Sequence, residues 1–177
     1  MIARSALSFF LLVLCTFTPL WAKGDTVQVE IKGGARTSPI QITDPKSHEF
    51  NVWAGPGANH APPERANGFV GNWQTSAMPP PGARLEHYQV SFYVSCLHAN
   101  DQRCASDGHY LAYVVSYDFD PALKQGYVYL PGHGEPWFEL NAASILRGPA
   151  AEGHWFLAAD SWDAFVRPII ERALDRH

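Results

Sequence analysis

The chain has 177 residues, with 13 Lys and Arg against 17 Asp and Glu, a net charge of −4 with His neutral, and Gly and Pro at 14 each. That length suits one core in one domain, and a mildly acidic chain without a basic stripe has no footprint for nucleic acid or anionic lipid. An aromatic content of 13% beside so much Gly and Pro suits a β-rich chain with many turns.

The first predicted element is a secretory signal peptide over 1–22. Arg4 precedes an apolar run from Leu7 to Leu14, too short for the roughly 20 residues of a membrane-spanning helix, and Leu20-Trp21-Ala22 offers a cleavage site. A lipoprotein reading at Cys15 is disfavoured by the bulk of Leu14 before it. Cleavage after Ala22 removes one Arg and no acid, moving the charge to −5, and leaves no membrane span. The expectation is a secreted or periplasmic protein. Residues 23–177 then form a single β-rich globular domain.

Thr26-Val-Gln-Val-Glu-Ile-Lys32 alternates as a strand does and stops at Gly33-Gly34. Pro39 to Thr43 and Phe50 to Ala54 are two further strand candidates, which together suggest an antiparallel meander. From 54 to 84 six prolines exclude a central strand, so this is a long Pro/Gly-rich loop. Phe69, Val70 and Trp73 pin it to the body, and Pro79-Pro80-Pro81 forms an extended spacer.

Leu85 to Phe119 predicts a long β-hairpin. Tyr88, Val90, Phe92, Val94 and Cys96 take one side of a period-2 pattern, as do Leu111, Tyr113, Val115, Tyr117 and Phe119 farther on. Opposing Val90 to Val115 and Phe92 to Tyr113 puts both apolar sets on one face, and a slip by one residue would expose one of them. The same register sets His87 opposite Asp118. Cys96 and Cys104 near the hairpin tip are the only cysteines left after processing, and in an oxidising compartment they pair as a disulfide.

After the hairpin, Asp118 to Gly126 reads as a helical turn or loop, Tyr127 to Leu130 as a strand and Trp137 to Leu140 as an edge strand. Asn141 to Arg147 is open between a helical turn and a strand. Gly153 to Ala158 is the last strand candidate. Ser161 to Leu174 is the clearest helix, with Trp162, Phe165, Val166, Ile169, Ile170, Ala173 and Leu174 on one stripe, and Arg167, Glu171, Arg172 and Asp175 opposite. Asp160 or Ser161 would cap it, Asp163 would complement its dipole, and Pro168 would kink or break it.

The fold class is therefore α+β: a mainly antiparallel sheet, curled or two-layered, with a C-terminal amphipathic helix. A β-sandwich with a peripheral helix is the alternative.

No motif specifies a reaction, and no pattern requires a cofactor. His87 with Asp118 would orient an imidazole as a general base needs, yet no Ser or Cys nucleophile is marked, and an ordinary cross-strand pair is the simpler reading. Ser91 and Ser116 share that face. Glu86, Asp118, Asp120, Glu135, Glu139 and Asp160 are candidates for a carboxylate pair, though acids are common in any soluble chain. His87, His109 and His133 could meet at a metal, but none of the eight histidines has zinc-motif spacing, and a structural role for each is the commoner outcome. Asn100, Asp101 and Asp107 lack the order of a calcium loop. Trp53 and Trp73 flank the long loop, and Tyr93 and Tyr110 fall on the less apolar side of their strands. Such aromatic rings would suit a small molecule, a glycan or a protein segment, unless they form a second hydrophobic layer under the loop. The leading expectation is a non-catalytic exported binding domain; a hydrolase using His87 with Asp118 or a carboxylate pair, and a metal-binding protein, are the alternatives.

Overall fold

A computed structural model describes residues 24–57, 68–97 and 102–175; the expected signal peptide and His60, His98, Asn100, Asp101 and His177 lie outside the described residues. The described residues form one six-stranded antiparallel sheet and two α-helices, an α+β fold whose sheet is not closed into a barrel. The strands are β1 (Thr26–Gly33), β2 (Arg36–Ile42), β3 (Glu86–Ser95), β4 (His109–Asp120), β5 (Gln125–Tyr129) and β6 (Trp155–Leu157), in the order β2-β1-β3-β4-β5-β6. The helices are α1 (Phe138–Ser144) and α2 (Asp160–Leu174).

The hairpin is the centre of the sheet, and its register pairs Val90 with Val115, Phe92 with Tyr113 and His87 with Asp118, as the apolar pattern requires. Burial enforces this pairing, because Val90, Phe92, Val115 and Tyr117 are all almost fully enclosed. Cys96 and Cys104 are bonded near its tip, with Cα atoms 6.1 Å apart. A bulge interrupts the ladder after Phe92, so that Tyr93 faces Leu111 and Val94 faces Tyr110. The extra residue, Ala112, reverses the alternation at the start of β4. Tyr110 therefore shares the core side with Val94, and Leu111 shares the other side with Tyr93.

One face of the sheet carries the core. Trp162, Val166 and Ile170 of α2 are fully buried against it, together with Phe50, Val52 and Phe69 from the loops. Trp162 meets Phe50 edge-on and lies 5.6 Å from Phe92, so helix, loop and sheet share one aromatic cluster. Asp163 fastens the start of α2: its carboxylate accepts from Tyr117 Oη at 2.8 Å and from the Gly126 amide at 2.8 Å. A Cβ on Gly126 would lie 2.3 Å from that carboxylate, and so only glycine fits there.

Several elements differ from the sequence reading. Phe50 to Ala54 is no strand; a short 3-10 helix at Pro45–Glu49 leads into turns whose apolar side chains plug the core, since a run apolar on both sides has no exposed face to set a register. The expected three-strand meander is only β1 with β2, and β1 pairs next with β3. The expected loop at Asp118 is strand as far as Asp120, whose carboxylate then takes the amides of Ala122 and Leu123 to make the turn into β5. Trp137 to Leu140 begins a helix rather than an edge strand. Ala159, not Asp160 or Ser161, is the N-cap of α2. The helix runs unbroken through Pro168, whose exposed side leaves the freed carbonyl open to water. Arg167 is not on the solvent side: it is buried, donating to Glu86 at 2.6 Å and lying 3.8 Å above the Phe119 ring.

The long loop packs on the body where it is described. Gly71 and Ala77 donate to the carbonyls of Leu157 and Trp155, covering the free edge of β6. Arg147 locks the loop from beneath. Its guanidinium donates to the carbonyls of Val52, Ala54 and Pro56 and to Tyr113 Oη, with the Trp73 ring 4.4 Å away. At the opposite edge, β2 carries Pro39, and Arg36 donates to the Ala173 carbonyl at the end of α2.

Candidate functional site

The sheet face opposite α2 is only partly covered, and there the polar side of the hairpin pattern lines an open groove of about 630 Å³. Cross-strand partners share a face, so the ladder places Lys32, Gln89, Ser116, Tyr129 and Trp155 on this side in successive strands. His87 and Asp118 lie on it as well.

The segment Pro131–Trp137 forms the wall, and its placement follows from a gap in the sheet. Continuing the β4–β5 register beyond Ser116 and Tyr129 would set Val114 against Pro131, which has no N–H to give. Asn141 of α1 takes over: its side-chain carbonyl accepts from Val114 N at 2.8 Å and its amide donates to Val114 O at 2.7 Å. Glu135 braces the wall below, accepting from Tyr129 Oη at 2.8 Å and from Gly132 N at 2.8 Å. Burial and then the Glu135 carboxylate push the Tyr129 hydroxyl up to about 12, so it stays a donor. Trp137 tops the wall with φ 72°, in the left-handed region that bulky residues avoid, and its indole N–H donates to Gln89 Oε1 at 3.2 Å. The residue stays 41% exposed, while Tyr129 and Trp155 pack against each other at 5.0 Å. Strain held in place by surrounding contacts is characteristic of binding and catalytic sites.

On the floor, His87 Nδ1 and Asp118 Oδ2 are 3.0 Å apart, joining a side chain 72% exposed to one 8% exposed. Burial raises the Asp118 carboxyl above its ordinary value, while the hydrogen bond from His87 pulls the other way. With Nδ1 donating to Asp118, Nε2 of a neutral ring is an outward-facing acceptor.

The sequence-derived candidates are distributed over both faces. His87 and Asp118 meet in the groove. Trp53 and Trp73 lie under the loop on the covered face, the first donating to the Gly24 carbonyl at 2.9 Å and the second beneath the Arg147 guanidinium, edge-on to Phe69 and tilted against Phe156. Tyr93 is on the open face near the hairpin tip, edge-on to His109 at 5.5 Å, and Tyr110 packs against the core side. His109 and His87 are separated by eight strand steps, about 27 Å. His133 sits against Phe138. Among the described residues no group of three or more His, Cys, Asp and Glu could hold a metal ion.

Tyr129, Trp137 and Trp155 were missed as a set. The one available signal was the alternation at Trp155, Phe156 and Leu157, which puts Trp155 opposite the core; its neighbours depend on pairing between distant strands. No family model, curated protein or solved structure matches the chain.

Proposed function

We propose that this chain is an exported, non-catalytic binding module whose open sheet face takes a carbohydrate. The observation that carries the reading is Trp137, held half-exposed in a strained conformation above a groove that also presents Tyr129, Trp155, Gln89 and Asp118. Sugars offer apolar C–H faces to rings and hydroxyls to carboxylates and amides, and this groove pairs those two chemistries. An extended peptide would be read through its main chain, but β3, β4 and β5 are each paired on both sides, and the groove supplies no free ladder. Export is supported by the N-terminal apolar run and by the Cys96–Cys104 bond. No helix among the described residues is long and apolar enough to cross a membrane.

The test is titration of the protein with a panel of soluble glucans, xylans and N-acetylglucosamine-containing glycans, read by tryptophan fluorescence and calorimetry. Saturable binding that weakens about tenfold or more in Trp137→Ala is expected. Silence across the panel would sink the reading. A second reading, hydrolysis, is favoured by the 3.0 Å His87–Asp118 contact beside Ser116. Chromogenic ester and glycoside substrates separate the two, because hydrolysis abolished by His87→Ala would replace binding with turnover.

A further inference from the structure

We infer that the groove takes a glycan chain of several rings, running across the strands, rather than a single sugar. This rests on the carbohydrate reading above. The lining runs from Trp155 on β6 through Tyr129, Asp118 and His87 to Lys32 on β1, and so crosses five strands. At 4.7–4.9 Å between neighbours, four intervals make about 19 Å. A single six-membered ring stacked at the Trp155 end leaves Lys32 out of reach, so Lys32 has a role only for a longer ligand.

The ends also differ chemically. Tyr129 and Trp155 pack together at β5 and β6, Trp137 reaches over the middle of the groove to Gln89 on β3, and the β1 end carries Lys32, whose ammonium is 2.8 Å from Glu30. Hydrophobic stacking at one end and charged hydrogen bonding at the other would fix the direction of a chain as well as hold it. At the strand ends beside His87 and Tyr88 a second depression of about 410 Å³ opens toward Gly34 and Leu174. A pocket for one sugar would instead be closed around it.

Calorimetric titration with β-1,4-linked glucose oligomers and with N-acetylglucosamine oligomers, each from one to six rings, tests this. The expected result is an association constant that rises at least about tenfold between one ring and four and then levels off. Lys32→Ala should weaken the longer oligomers by a larger factor than the shorter ones, and Trp137→Ala should weaken every length. Binding of one ring as tightly as six, or Lys32→Ala acting equally at all lengths, overturns the inference and leaves the carbohydrate reading standing. No binding at any length, or binding of a proline-rich peptide in place of both series, overturns the two together.

Discussion

Arg147 shows how much a single buried cation organises here. Its side chain reaches three carbonyls and one hydroxyl, and burial draws its pKa below the ordinary value. Arg147→Met would leave those carbonyls without their donor, and the expected loss is about 3 kcal/mol or more, read from urea unfolding. Gly126→Ala should cost a comparable amount, because the new methyl would displace the Asp163 carboxylate from Tyr117. A pH effect belongs at this scale too. Burial raises the folded-state pKa of both Asp118 and Asp163, so each contributes stability at low pH that is lost as pH rises from the ordinary carboxylate value through the raised one. Asp118→Asn lacks that loss. Its melting temperature relative to the parent should therefore climb across this window, and a flat difference would refute the assignment.

Among the elements, the hairpin and α2 can be tested separately. Replacing both cysteines by serine releases a short loop, and the expected cost is about 2 to 3 kcal/mol, with the β3–β4 pairing retained by circular dichroism. Trp162→Ala should cost about 3 to 5 kcal/mol, since that ring is enclosed by Phe50, Phe92 and Tyr117. The hairpin register was legible because a period-2 pattern with one buried face admits a single pairing. The bulge at Ala112 was not, because an inserted residue leaves both flanking runs looking regular. Phe50 to Ala54 and Trp137 to Leu140 are too short and too apolar for period alone to decide. Tertiary partners chose for them: the core cavity in one case, the Val114 edge in the other.

For the whole molecule, the two faces of the sheet are unequal. One is closed by α2 and the long loop, and the other is open over its polar residues. Half of the candidate site was readable, since His87, Gln89, Ser116 and Asp118 lie on the hairpin's polar side; the aromatic half comes from segments whose adjacency only the fold creates. The Asn141 amide, standing in where β5 stops, bolts the wall to β4, one of the two central strands. A receptor built this way needs no hinge. Backbones of the free and ligand-loaded states should superpose to within about 1 Å, and association should proceed in a single concentration-dependent step without a slow isomerisation.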